Sequence, residues 1–380
     1  MNNLHISLTD FRNESRVIKE ACSILEKTSI KKVYVAALHE DGLEELEFYN
    51  DRLEIKRFKL SSRKLSKSFL VQIFKYIEFM FRLTLFYHRK QITLINIHAL
   101  SLLPLGVLLK YIYGAHLIYD THELETETNG AKGVRKKVAK IVERIFIRAT
   151  DHVFVVSESI ADWYANAYKI QRPTVLLNAP KLLHPQRNNF FRARFTISND
   201  QIIMLYQGGL TAGRGIELLL SAFNERLDHK VVIVFMGRGD LEEKIKTMTK
   251  THKNIFFHSA VATNVVLDYT ISADVGISMI SNTCLSYYYC MPNKIFEYAM
   301  AGLPVIVSNM KEMRAVVLTY EMGIVVENAT VEALNTAIDQ LVLKNMDTLK
   351  KNSRKMAEAN AWEVQEEKMI RVYKTLRFGG

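Results

Sequence analysis

Hydrophobic and polar positions follow two alternating periods along the chain. Short β-branched runs at Leu4–Leu8, Lys32–Leu38, Leu53–Leu60, Thr93–His98, His116–His122, His152–Ser157 and Thr174–Asn178 predict strands. Between them, apolar residues spaced three and four apart predict helices over Ser15–Lys27, Lys67–His88, Leu102–Tyr113 and Val134–Ala149. Residues 181–200 lose this periodicity and read as a linker. A second series follows, with strands at Ile202–Gln207, Val231–Met236, Asn254–His258, Val275–Ile280, Pro304–Ser308 and Ile324–Val326 and a closing helical region over Val331–Leu376.

Strand–helix alternation implies parallel sheets covered by helices. The expected fold is therefore α/β, with two Rossmann-like, doubly wound domains at 1–185 and 186–360. Residues 361–380 are expected to form a C-terminal helix returning to the first domain. Open α/β sheets bind ligands outside the carboxyl ends of their strands, so a cleft between two such domains is the expected site. The apolar stretch Ala99–Tyr119 is interrupted by Pro104, Lys110, Gly114 and His116, and reads as a helix and a strand rather than a membrane span.

Composition narrows the classes. With 48% hydrophobic and 24% charged residues over 380 positions, the chain is globular rather than disordered or fibrous. Cys22, Cys284 and Cys290 have neither disulfide nor zinc-site spacing, which indicates a reducing compartment and no structural metal. The first residues lack a signal peptide's apolar segment, and a cytoplasmic location is expected.

The net charge of +11 is uneven: residues 1–190 carry 29 Lys and Arg against 20 Asp and Glu, and residues 191–380 carry 22 against 20. Within the first half, Lys59, Arg63, Lys64 and Lys67 precede a helix carrying Phe69, Leu70, Phe74, Ile77, Phe81 and Leu85. A basic, aromatic-rich helix suits an anionic membrane surface. Further on, Lys136, Lys140, Arg144 and Arg148 recur on one helix face, opposite Val134, Val138, Ile141 and Ile145. No nucleic-acid-binding motif accompanies the charge, so nucleic acid is not an expected partner.

Two segments carry candidate chemistry. Tyr206-Gln-Gly-Gly-Leu-Thr-Ala-Gly-Arg-Gly215 runs from a strand into a helix. Gly208, Gly209, Gly213 and Gly215 allow close backbone approach, the helix start favours an anion, and Arg214 adds a cation, a combination suited to a phosphate or diphosphate. It is neither a P-loop nor a strict dinucleotide fingerprint. In Pro292-Asn-Lys-Ile-Phe-Glu297, a new helix brings Lys294 and Glu297, and a carboxylate there could accept from the paired hydroxyls of a ribose.

These segments, with Phe235-Met-Gly-Arg-Gly239, Ala273-Asp-Val-Gly-Ile277 and Ala301-Gly-Leu-Pro304, resemble the C-terminal domain of the retaining family-4 glycosyltransferases of the GT-B fold. Asp10–Glu20, Leu117-Ile-Tyr-Asp-Thr-His-Glu123 and Val153–Glu158 resemble the bacterial surface-polysaccharide branch of that family. The resemblance implies that the C-terminal domain holds a nucleotide sugar, UDP- or GDP-linked, and that the N-terminal domain holds a glycan or lipid-linked acceptor. Transfer would proceed with retention, without metal or other cofactor, at the inner face of the cytoplasmic membrane. Glu297 matches the second acid of the family's Glu-x7-Glu motif, Arg214 the diphosphate contact, and His122 a residue near the transferred sugar. Gly237 and Gly239 match the turn near the base. Tyr289, Asn293 and Lys294 complete the donor side, and Asp10, Arg12, Asp120 and Glu123 are acceptor-side candidates.

Two positions depart from the family pattern. Tyr289 stands where the first acid of Glu-x7-Glu belongs, and Gly209 replaces an Arg of the phosphate loop. They leave open two alternatives: a nucleotide-sugar-binding subunit without activity of its own, and a GT-B-fold epimerase.

Overall fold

The computed structural model describes every residue except Asn13, Lys67, 227–229 and 377–380, with Phe69 described in its backbone alone. The expected helix start at Lys67 and the Phe69 side chain thus lie outside the described residues. The chain divides into two compact units, one formed by Met1–Leu176 with Glu366–Gly380 and the other by Leu177–Gln365.

The first unit contains strands β1 (Asn2–Ile6), β2 (Lys32–Leu38), β3 (Leu46–Asn50), β4 (Leu53–Phe58), β5 (Ile92–Ile97), β6 (His116–Asp120), β7 (His152–Val155) and β8 (Thr174–Val175). They form one sheet in the order β3-β4-β2-β1-β5-β6-β7-β8. All pairs are parallel except β3 with β4. Helices α1 (Ser15–Lys27), α2 (Phe69–Tyr87), α3 (Leu103–Tyr113), α4 (Gly133–Phe146) and α5 (Glu158–Tyr168) connect them. The chain works outward from β1 in one direction and then, at β5, in the other. The switch point lies between β1 and β5.

In the second unit, α6 (Phe190–Phe195) precedes β9 (Ile202–Gly209), α7 (Ile216–Glu225), β10 (Val231–Arg238), α8 (Glu242–Thr249), β11 (Ile255–Ser259), α9 (Val266–Thr270), β12 (Val275–Ser278), α10 (Leu285–Tyr288), α11 (Asn293–Met300), β13 (Val305–Ser308), α12 (Lys311–Tyr320) and β14 (Gly323–Val326). Helices α13 (Val331–Val342), α14 (Met346–Asn360) and α15 (Trp362–Thr375) close the chain. The wholly parallel sheet has the order β11-β10-β9-β12-β13-β14, so its switch point lies between β9 and β12. Leu205, Val232, Val234, Ile295, Tyr298 and Val305 pack one face of this sheet, and Met204, Tyr206, Ile233, Phe235, Leu219 and Phe223 pack the other.

Two Rossmann-like α/β units, as expected from the sequence, are the fold observed. Four features differ in detail. The unit boundary falls after Leu176 rather than at 185, and Leu177 N–H donates to Gln365 Oε1 of the second unit at 3.2 Å. The expected linker contains α6. Strand β3 joins the first sheet antiparallel at its edge and is largely exposed, which hid its pattern.

The fourth is α4, which packs inside out. Val134, Val138, Ile141 and Ile145 are all more than half exposed. The inward side instead carries Glu143, fully buried, whose carboxylate accepts from the hydroxyls of Tyr119 at 3.0 Å, Tyr164 at 2.6 Å and Tyr168 at 2.6 Å. Lys136 donates to the poorly exposed Glu127 at 2.6 Å and Lys140 bonds to it as well. Satisfying these buried carboxylates outweighs hiding four aliphatic side chains. Among the described residues no helix is long and apolar enough to cross a membrane.

Candidate active site

In the second unit the candidate residues gather at the carboxyl ends of β9 and β10, beside the β9–β12 switch point. Gly208, next to last in β9, has φ +118°, and Gly213 and Gly215 follow with φ +81° each. A Cβ at Gly215 would lie 1.9 Å from the Met279 carbonyl oxygen, and one at Gly237 the same distance from that of Gly208, so neither position admits a side chain. Gly209 is different, because a Cβ there would meet only Thr211 Oγ1, at 4.0 Å. Two helices start here, α7 after Gly215 and α11 after Pro292, and neither has a side-chain N-cap. Uncapped first-turn N–H groups of this kind suit an anion.

Three cationic and acidic side chains complete this end of the sheet. Lys294, on the first turn of α11, is buried, and its ammonium sits 3.8 Å from the centre of the Tyr206 ring. Burial, reinforced by the nearby Arg214 charge and opposed by Glu297, brings its pKa down to about 7. The Arg214 guanidinium stacks over Tyr287 at 5.0 Å. Glu297 accepts from the side-chain amide of Gln207, whose own carbonyl accepts from Thr270 Oγ1 at 2.8 Å. Asn293 is the exposed first residue of α11, and Tyr289 lies just beyond α10 with Lys311 Nζ 5.4 Å from its ring centre. Tyr298 supports the whole group: its buried hydroxyl accepts from Gln207 N at 3.1 Å and donates to Leu205 O at 2.9 Å.

The first unit carries its own polar cluster at the β1–β5 switch point. Arg16 of α1 grips Asp120 with two bonds, Nε to Oδ2 at 2.9 Å and Nη2 to Oδ1 at 2.6 Å, and both residues are almost wholly buried. His98 Nδ1 and His122 Nε2 each lie 3.2 Å from Asp120 Oδ2, and His5 Nδ1 lies 2.9 Å from His98 Nε2. Burial opposes charge on Asp120, but Arg16 and His122 overcome it and hold the carboxyl well below its ordinary range. Burial and the adjacent Asp120 push Glu20 far upward, and burial lowers both His5 and His98. The cluster therefore offers one outward-reaching group, His122, whose imidazole is about a third exposed.

Ligand atoms of His98, Asp120 and His122, and of His5, Glu20 and His98, approach one another closely enough to share an ion. The Arg16 guanidinium already engages both oxygens of Asp120, and its fixed positive charge opposes a divalent cation there. Among the acceptor-side candidates, Asp120 is buried beneath Arg16, with the partly exposed His122 bonded to its Oδ2. Asp10 and Arg12 pair with each other on the loop after β1, Nε to Oδ2 at 2.8 Å. Glu123 is exposed beside His122.

Residues 29–179 match the family described as Glycosyltransferase Family 4, and residues 201–344 match Glycosyl transferases group 1. The chain is a family-4 glycosyltransferase of the GT-B fold.

Solved structures agree with this glycosyltransferase in fold. Sucrose-phosphate synthase from Thermosynechococcus elongatus superposes with a TM-score of 0.82 at 17% identity, covering 99% of each chain. Anabaena HepE, in complex with UDP-glucose, gives 0.75 at 13% identity, covering 99% of this chain and 100% of its own. WaaG, a glycosyltransferase involved in lipopolysaccharide biosynthesis, gives 0.67 at 14% identity over 98% of this chain and 100% of its own. No curated protein matches in sequence.

Several residues of the glycosyltransferase's two clusters are not singled out by the sequence, although Gln207 and Arg16 lie inside its motif segments. Gln207, Thr270 and Tyr298 position Glu297, and Arg16, His5 and His98 surround Asp120. Arg16 lies within Asp10–Glu20, where its place in the first turn of α1 was the available signal. His5 and His98 sit on or beside apolar strands and look like ordinary core residues in one dimension.

Proposed function

We propose that this glycosyltransferase moves a sugar from a nucleotide-sugar donor, UDP-linked in the first instance, to a lipid-linked glycan acceptor with retention of configuration, in cell-surface polysaccharide assembly. The observation that carries the donor assignment is the convergence of Arg214, Lys294 and two uncapped helix starts on the end of β9. Such a site neutralises a diphosphate and does so more strongly as the leaving group gains charge, which favours the transition state over the ground state. Glu297, fixed by Gln207, accepts from the ribose hydroxyls. UDP and UDP-glucose in the HepE complexes support a uridine donor, and the role of WaaG supports a lipopolysaccharide-type product.

In this reading the first unit takes the acceptor, with His122 as the group that meets the reacting sugars, and its basic, apolar surface rests on the anionic inner face of the cytoplasmic membrane. The leaving phosphate takes the proton of the attacking hydroxyl, so no metal step is required. Tyr289, in place of an acid, favours a second reading, a donor-binding subunit without turnover. A thermal-shift screen against UDP-, GDP-, ADP- and dTDP-sugars, followed by turnover assays with the best donor, separates the two. Donor stabilisation with transfer supports the enzyme, stabilisation without transfer supports the subunit, and no response to any donor contradicts both.

A further inference from the structure

Helix α2 is apolar on two opposite sides. Phe79, Leu83 and Tyr87 are buried against the sheet, whereas Leu70, Phe74, Ile77, Phe81 and Leu85, spaced three and four apart, are each more than half exposed. The neighbouring α3 exposes Leu108, Tyr111 and Ile112, and it is tied to α2 by the Tyr113 hydroxyl donating to Thr84 O at 3.1 Å. Next to α3, the inside-out α4 adds its own four aliphatic residues. Exposed apolar residues on three adjacent helices mark this side of the unit as a candidate interaction surface.

Along one edge of this surface runs a groove of about 840 Å³ between the end of β4, the turn 61–64 and the last turns of α2. Its polar lining is Lys56, Lys59, Lys64, Arg82, Ser61 and Glu45, and its apolar wall includes Leu85 and Phe86 of α2 itself. The groove is shaped from behind. Glu78 accepts from Ser61 N at 2.8 Å and Ser62 N at 2.9 Å, and it also holds Arg82 Nε at 2.8 Å, while Arg82 Nη2 donates to Ser61 Oγ at 2.9 Å. Lys56 pairs with Glu45 at 3.0 Å, which cancels the one acid in the lining. The net positive charge left is that of the exposed Lys59 and Lys64, with Arg82 behind them.

The geometry points to a binding site for the phosphate of an anionic glycerophospholipid in this groove, with the outer face of α2 entering the acyl layer beside it. Charge complementarity selects the occupant. A protein partner would cover the apolar helices without needing the exposed Lys59 and Lys64 beside a pocket, whereas a phosphodiester joined to acyl chains matches a cationic groove whose wall continues directly into an exposed apolar stripe. The site deepens the membrane reading given above by assigning it a headgroup and named ligands. It is separate from donor binding, because every residue involved belongs to the first unit.

The test is co-sedimentation of the full chain with phosphatidylcholine vesicles containing either phosphatidylglycerol or, at the same surface charge, oleate. Preference for phosphatidylglycerol is expected, with the Lys59→Gln/Lys64→Gln variant losing about tenfold or more in partitioning, on the order of a tenfold effect per one to two surface lysines. Lys250→Gln/Lys253→Gln, which removes the same charge from exposed positions of the second unit, is expected to change little. Equal binding to both anionic vesicles, or equal loss in the two variants, would overturn the headgroup site while leaving membrane attachment standing. Failure to bind either vesicle would overturn both. Binding of soluble sn-glycerol 1-phosphate at the groove with no vesicle preference would also overturn it, in favour of a soluble phosphate ligand.

Discussion

The Lys294 ammonium lies 3.8 Å from the centre of the Tyr206 ring, against the end of the strand whose Gly208 and Gly209 face a diphosphate in the proposed donor site. Burial brings its pKa to about 7 when no donor is present. A bound diphosphate stabilises the ammonium and raises that value, so donor binding takes up a proton above pH 7. Donor affinity is therefore expected to be flat below pH 7 and to fall as pH rises from 7 towards the higher pKa of the complex. Calorimetric titration with a UDP-sugar from pH 6 to 9 measures this, and Lys294→Met should bind weakly with no slope.

Removing either of the two other donor-side groups should separate binding from folding. Glu297→Gln keeps an oxygen that can accept from Gln207 Nε2 but loses the negative charge that strengthens bonds to hydroxyls, and Arg214→Ala removes the stacked guanidinium. Each is expected to weaken donor binding by about tenfold to a hundredfold, equivalent to roughly 1.5–3 kcal/mol. Thermal stability without donor should change by only a few degrees. A large fall in melting temperature would instead mark them as structural.

Gly276 and Tyr298 form a steric pair. A Cβ on Gly276 would lie 2.3 Å from the Tyr298 ring, so Gly276→Ala must displace the side chain that holds Gln207 N. Overpacking of this kind costs about 1–3 kcal/mol or more. Tyr298→Phe leaves the buried Gln207 N–H without its acceptor and should cost about 1–3 kcal/mol. Urea denaturation measures both, and donor affinity should fall in both because Glu297 loses its fixed position.

Arg16 and Asp120 are a buried ion pair with almost no exposure. Arg16→Met leaves the Asp120 carboxylate uncompensated and should cost about 3–5 kcal/mol, whereas Arg16→Met/Asp120→Asn should recover much of the loss. Because the folded Asp120 pKa is depressed, the pair's contribution is present above the ordinary carboxylate pKa near 4 and is lost as pH falls towards the folded value. Chemical denaturation between pH 3 and 7 should find a shallower acid loss in the double variant than in the parent.

The parts of this fold that were legible in the sequence are those with a local cause. Parallel strands buried on both faces read as apolar runs, and Gly215, Gly237 and Gly239 mark turns where a Cβ has no room. What stayed hidden depends on contacts across the chain. The inward face of α4 is polar because Tyr119, Tyr164 and Tyr168 converge on Glu143, and no periodicity reveals three partners on other elements. Likewise His5 and His98 acquire meaning only when β1 and β5 become neighbours.

The proposed chemistry rests on a single outcome, the configuration at the transferred anomeric carbon. Proton NMR of the product formed from an α-linked UDP-sugar and a lipid-linked acceptor reads it directly. An α-linked product, abolished by Arg214→Ala, is the expected result, and a β-linked product, or no transfer from any UDP- or GDP-sugar, would contradict it.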